Sequence, residues 1–300
     1  MKAALLKSYG GIDQFMIGEV PMPKPEAGEV LIKIEASAIN PFDLILRQGF
    51  MAQYIPLELP AVLGGDAAGT IAALGAGVTG LAVGDRVVGD FLANGNGSHA
   101  EYGVLPASSV AKLPANLSFE QGASLVKVGL TGRQTVDILG IKAGDRVLIS
   151  GALGMVGRAA IQYLQEIGAK PVAGVRSERL EGARLLAGEA IDITEQPAQA
   201  TFHFAISTAP AVAGILIDHV RDGGQVASIV QVPEGANSDD RVTIHELRHR
   251  TDADTMDAVL KAASEGRLII PIAKTLPLSE IAAAQSAVAG GVQGKVVLKH

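Results

Sequence analysis

Cysteine is absent from this chain. Disulfides, thiolate nucleophiles and thiolate-held metals are therefore excluded. Tryptophan is also absent, and aromatic residues make up only 4% of the sequence. A surface that recognises bases or sugars by stacking them on rings is poorly supplied. No block of lysine or arginine stands out, and the formal net charge is -6. Neither nucleic acid nor an anionic membrane is expected as a partner. No apolar run approaches the ~18 residues of a membrane-spanning helix. The opening Met1-Lys2-Ala3-Ala4-Leu5-Leu6-Lys7 is too short and too interrupted for a signal peptide, so a cytoplasmic location is expected.

What the chain does have is apolar bulk. Hydrophobic residues are 48% of its 300 positions and charged residues 19%, which suits two packed cores. The first part reads as short strands punctuated by Gly64, Gly65, Gly69, Gly75, Gly77 and Gly80. Ser118 and Gln121 have the spacing of a helix capping box. Two helical stretches follow, one through Ala123 and one over 130–139. A β/α alternation then begins, with strands at 147–149, 171–175, 202–206 and 225–229 and a helix over 156–167. That pattern predicts a parallel sheet covered on both faces. The expected division is 1–120, completed by 267–300, and 121–266.

The first strand of the alternation runs into Ser150-Gly151-Ala152-Leu153-Gly154-Met155-Val156-Gly157. A Rossmann dinucleotide site needs glycine at three such places. One makes the tight turn, one lets backbone approach the pyrophosphate, and one lets helix and strand pack closely. The alternative is a tight turn with no ligand. The next strand ends in Arg176, Ser177 and Arg179, where an NAD site would carry an acidic residue for the ribose 2′-hydroxyl. A guanidinium and a hydroxyl suit a 2′-phosphate, so NADPH is the expected cofactor. A solvated surface arginine is the competing reading.

Several ordered segments carry a family resemblance. They are Asn40-Pro41-Phe42-Asp43 with Arg47-Gln48-Gly49, Gly64-Gly65-Asp66-Ala67-Ala68-Gly69, Val83-Gly84-Asp85-Arg86-Val87, His99-Ala100-Glu101-Tyr102, Gly129-Leu130-Thr131 and Gly294-Lys295-Val296-Val297-Leu298. With these the chain resembles the zinc-free quinone oxidoreductase branch of the medium-chain dehydrogenase/reductase superfamily. The resemblance implies an α/β protein with a GroES-like β-rich catalytic domain and a Rossmann doubly wound parallel sheet. It implies Asn40 and Thr131 beside the nicotinamide ribose, as the catalytic candidates. It implies Gly154, Met155 and Val156 over the pyrophosphate, and Ser207, Thr208, Ser228, Ile229 and Val230 along the nicotinamide. It also implies a homodimer paired through the Rossmann edge strand, over 242–247. Zinc-dependent relatives carry a Cys near Ile39 and Asn40 and a His-Glu pair near Gly65 and Asp66, and neither is present, so no metal is expected. Lys127 is taken as a surface lysine, with a cleft-facing lysine as the alternative.

The expected reaction is hydride transfer from NADPH to a quinone or similar conjugated carbonyl. Reduction of an enone is the alternative, and a non-catalytic NADPH-binding protein a further one. His245-Glu246-Leu247-Arg248-His249 matches a zinc metalloprotease motif. It follows the β-branched Val242-Thr243-Ile244, so it reads as strand rather than helix. Residues four apart on a strand stand ~13 Å apart, too far to share one metal.

Overall fold

The computed structural model describes every residue of the chain except Ser238 and Asp239. It divides into two compact units: Met1–Lys127 with Thr251–Glu265 and Ile270–His300, and Val128–Arg250 with Gly266–Ile269.

The first unit opens with β1 (Lys2–Leu6) and β2 (Phe15–Glu19), then β3 (Glu29–Ile39), helix α1 (Pro41–Gln48) and β4 (Ala61–Val62). It continues with β5 (Asp66–Leu74), β6 (Arg86–Asp90), β7 (Tyr102–Pro106) and β8 (Val110–Lys112). Helix α2 (Phe119–Asp137) follows. It is one helix of 19 residues, where the sequence reads as two stretches. Ser118 and Gln121 begin it as a reciprocal box, the Gln121 N–H donating to Ser118 Oγ and the Ser118 N–H to Gln121 Oε1. Two of its glycines are packing positions. A β-carbon on Gly122 would lie 2.9 Å from Leu113 Cδ1, and one on Gly132 would lie 2.7 Å from Ala159 Cβ.

The second unit carries β9 (Arg146–Ser150), α3 (Met155–Glu166), β10 (Lys170–Val175), α4 (Leu180–Ala187) and β11 (Glu189–Asp192). Then come β12 (Phe202–Ser207), α5 (Ala213–Asp218), β13 (Val220–Ser228) and β14 (Thr243–Glu246). Its six strands form one sheet in the order β11-β10-β9-β12-β13-β14, and every pairing is parallel. Alternation along the strands explains the layering. Val147, Ile149, Ala173 and Ile206 pack with Ala160, Ile161 and Leu164 of α3 on one face. Leu148, Val172, Ala205 and Val226 pack with Leu216 and Ile217 of α5 on the other. Both faces are buried, as a parallel sheet requires. This is the doubly wound order, with its switch point between β9 and β12.

The chain then returns to the first unit with α6 (Ala253–Ser264), β15 (Ile272–Pro277), α7 (Ile281–Ala289) and β16 (Lys295–Lys299). β16 lies between β15 and β3 in the larger sheet, antiparallel to β3 and parallel to β15. No helix among the described residues is long and apolar enough to cross a membrane.

Candidate active site

In the second unit the glycine loop joins β9 to α3. Gly151 has a φ of +65°, and a β-carbon there would overlap Thr208 Oγ1. Gly154 is the N-cap of α3. A β-carbon on Gly157 would lie 2.5 Å from the Gly151 carbonyl oxygen, so glycine allows the first turn of α3 to lie against the loop. Met155 and Val156 open the helix, and their N–H groups lack intrahelical acceptors. Ala152, within the loop, is fully buried.

Three serines stand side by side at the carboxyl ends of the central strands. Ser207 pairs in register with Ser150 on one side and Ser228 on the other. Thr208 Oγ1 donates to the Ser150 carbonyl at 2.7 Å, and the Thr208 N–H reaches Ser150 Oγ at 3.3 Å. Ser228 Oγ donates to the Val230 carbonyl at 2.7 Å. The Ile229 N–H donates to the Ser207 carbonyl at 3.1 Å. Ser207 Oγ is buried and has no partner among the described residues.

At the end of β10, Arg176 caps a 3-10 turn formed by Ser177–Arg179. Both arginines are exposed. Ser177 faces Asp192 at the end of β11, whose carboxyl is held below its usual range by Thr194 first and by Ser177 as well.

The metalloprotease-like motif is not helical. Its first residues, His245 and Glu246, belong to β14 at the edge of the sheet. The two imidazoles meet different partners: His245 Nε2 is 2.9 Å from Gln225 Oε1, and His249 Nδ1 is 3.1 Å from Thr131 Oγ1. Thr131 is thus tied to a residue that sequence reasoning met only inside a false motif.

In the first unit, Asn40 is the N-cap of α1, and its N–H donates to Asp43 Oδ2 at 2.7 Å. Its side chain belongs to a buried polar group. Asn40 Nδ2 donates to Asp66 Oδ2 at 2.9 Å, and Lys295 Nζ donates to Asn40 Oδ1 at 2.7 Å and to Asp66 Oδ2 at 3.1 Å. Asp66 and Asp90 stand opposite one another on β5 and β6. Two carboxylates so placed repel, and each has its own lysine. Lys295 pairs with Asp66 and Lys127 with Asp90.

Lys127 is therefore not a surface lysine. Its ammonium binds Asp90 and donates to the Phe91 carbonyl at 3.2 Å, and its N–H reaches Asp66 Oδ1 at 3.1 Å. Thr251 Oγ1 donates to the other Asp90 oxygen at 2.6 Å. Burial pushes the Asp43 carboxyl up to about 7, and the Asp66 charge adds to this. Among the described residues, no three His, Cys, Asp or Glu side chains are grouped to hold a metal.

A β-domain carrying a buried ion-pair cluster and a doubly wound unit with a glycine loop at its switch point together define a two-unit dinucleotide-type architecture. Residues 26–115 match the alcohol dehydrogenase GroES-like domain family. The trans-enoyl reductase tazE of Aspergillus terreus is 35% identical over 206 residues, 63% of this chain and 67% of that protein. The human quinone oxidoreductase is 34% identical over 188 residues, 62% of this chain and 55% of that one. The solved quinone oxidoreductase of Coxiella burnetii superposes with a TM-score of 0.91 at 26% identity, over 100% of this chain and 99% of that one. The chain spans about half to two thirds of the length of the curated relatives it matches. It belongs to the quinone oxidoreductase branch of the medium-chain dehydrogenase/reductase superfamily.

Proposed function

We propose that this protein is an NADPH-dependent oxidoreductase that reduces a quinone or similar conjugated carbonyl compound without a metal. The observation that carries the reading is the glycine loop and serine row at the sheet's switch point. The residues there fit a dinucleotide. Gly154 leaves room at the helix start, the Met155 and Val156 N–H groups suit a pyrophosphate, and Ser207 Oγ is a buried polar atom awaiting a partner. Ser150, Gly151, Ala152, Gly157, Thr208, Ser228, Ile229 and Val230 would complete the seat, and Arg176 and Arg179 would grip a 2′-phosphate. When bound, the nicotinamide supplies hydride.

Chemical economy supports the choice of acceptor. A quinone becomes a hydroquinone anion, which is stable enough to take its proton from water. A saturated ketone becomes an alkoxide, which needs stronger stabilisation. The names of the relatives include both a quinone oxidoreductase and a trans-enoyl reductase, so an enone is the second reading. The test is NADPH oxidation with a benzoquinone, an α,β-unsaturated ketone and a saturated ketone side by side. Preference for the saturated ketone overturns the reading. Preference for the enone selects the second one.

A cytoplasmic homodimer completes the proposal. β14 is an edge strand, and two-fold pairing through it would cover its open side. A monomer by light scattering at micromolar concentration overturns this part.

A further inference from the structure

Two asparagines stand directly before glycine, in Asn94-Gly95 and Asn96-Gly97. Both pairs lie between β6 and β7 in the first unit, and neither has a part in the chemistry proposed above. An asparagine before glycine is prone to react with its own backbone. The next peptide nitrogen closes on the side-chain amide to form a succinimide, and glycine has no side chain to obstruct the approach. The two pairs share a sequence but not an environment.

Asn94 is exposed. Its Oδ1 accepts the Asn96 N–H at 3.1 Å, which closes a ring through the Gly95 peptide and holds the side-chain carbonyl over it. The Gly95 N–H has no acceptor among the described residues, so its nitrogen is free to attack. Gly95 has a φ of +90°, a conformation that glycine adopts without strain. The Asn96 N–H also lies where negative charge forms on Oδ1 as the ring closes, and a donor so placed stabilises it.

Asn96 is exposed too, so exposure does not separate the pairs. The attacking nitrogen does. The Gly97 N–H donates to the Val62 carbonyl at 2.9 Å, and Asn96 forms a parallel bridge with Val62. Gly97 is buried. A β-carbon there would lie 2.4 Å from the Leu63 carbonyl group, so backbone encloses the residue. Gly97 cannot attack until the bridge opens. Asn40 precedes Pro41, which has no N–H to lose. Asn116 precedes Leu117, whose N–H is donated to the Pro114 carbonyl at 3.1 Å.

We propose that Asn94 is a site of self-modification, converting to aspartate and isoaspartate while Asn96 is preserved. The Gly95 nitrogen gives its proton to water and attacks Asn94 Cγ. A new C–N bond forms, and the bond from Cγ to the side-chain nitrogen breaks. That nitrogen takes up a proton and leaves as ammonia. Water then opens the succinimide. Opening at Cγ leaves aspartate, and opening at the main-chain carbonyl leaves isoaspartate, with the backbone routed through Cβ and Cγ. Overall, water is consumed and ammonia released, and nothing is oxidised or reduced. Either product adds a negative charge to a chain already at -6. The isoaspartyl link also lengthens the backbone next to Gly95, whose carbonyl accepts the Val62 N–H at 2.8 Å. Its free α-carboxylate is the group that an isoaspartyl-specific methyltransferase recognises. The inference is independent of the oxidoreductase reading.

The test is to age the purified protein at mildly alkaline pH, digest it and assign each amide-to-acid exchange by mass spectrometry. A synthetic peptide of residues 91–100 is the unfolded reference. In the peptide, both asparagines should convert at comparable rates. In the folded protein, Asn94 should outrun Asn96 by about tenfold or more, because Gly97 must first give up a backbone hydrogen bond. The aged wild-type protein should also accept methyl groups from S-adenosylmethionine when a protein-isoaspartate methyltransferase is added. Asn94→Ser keeps a side-chain oxygen for the Asn96 N–H, so the loop should hold its turn, and the aged variant should accept few methyl groups. Conversion of Asn96 as fast as Asn94 in the folded protein overturns the proposal. So does conversion of neither, or methyl acceptance undiminished in Asn94→Ser.

Discussion

Gly65 makes room for Lys127: a β-carbon at residue 65 would lie 2.5 Å from Lys127 Cε. Gly65→Ala should therefore push the lysine off Asp90 rather than move backbone, because the contact is with a flexible side chain. Losing a bond to a buried charged group should cost roughly 1.5–3 kcal/mol. A urea titration measures this. Unchanged stability would show that the lysine has a second seat.

Arg176→Ala should weaken NADPH binding by about ten- to a hundredfold and leave NADH binding nearly unchanged. The loss corresponds to roughly 1.5–3 kcal/mol for charge-assisted bonds to the 2′-phosphate. Fluorescence titration with both cofactors measures it. An equal loss for both would assign Arg176 another role. Ser177→Ala should have the smaller effect, since Ser177 already faces Asp192.

Gly157→Ala should cripple dinucleotide binding. Its β-carbon would fall 2.5 Å from the Gly151 carbonyl oxygen and 2.9 Å from Ala152 Cα. Both contacts are with backbone, so the loop itself must move. The expected result is at least a tenfold rise in the NADPH dissociation constant, equivalent to about 1.4 kcal/mol. Calorimetric titration checks it.

The pH dependence of stability has two opposed sources. Burial pushes His99 down to about 3 and His300 to about 4, from an ordinary value of 6.5. Their contribution is present above pH 6.5 and is lost as pH falls through the folded values. Asp43, raised by burial from 3.8 to about 7, works the other way. Its contribution is full below pH 3.8 and is lost as pH rises through about 7. Between roughly pH 5 and 6 the unfolded chain gains about two imidazole protons and gives up about one carboxyl proton. From these groups, wild-type stability should fall by about 1.4 kcal/mol per pH unit of acidification. Asp43→Asn keeps an acceptor for the Asn40 N–H and removes the opposing proton, so its slope should be about twice as steep. Identical slopes for the two proteins would show that Asp43 is ionised in the fold.

The doubly wound unit was legible in the sequence because its signals are local. Ser150 to Gly157 lie within one turn and the start of one helix, and β9, β10, β12 and β13 announce themselves by their apolar runs, whereas β11, Glu189-Ala190-Ile191-Asp192, has no such run and was not expected. The capping pair Ser118 and Gln121 is likewise a matter of spacing. The charge cluster was not legible, because Asn40, Asp66, Asp90, Lys127 and Lys295 come from five separate elements. No spacing connects them, and a lone lysine is by default a surface residue.

Asp66 meets its counter-ion Lys295 across 229 positions of sequence, and this sets an order of events on the ribosome. Until residues 295–299 emerge, β3 lacks its β16 neighbour, and Asp66 has no lysine of its own. The unit built from Val128–Arg250 and Gly266–Ile269 waits for nothing so late. The half of the chain made first is thus the half finished last. A nascent chain stalled before residue 295 would present an open sheet edge and an unneutralised carboxylate, which suits it to capture by a chaperone rather than to catalysis.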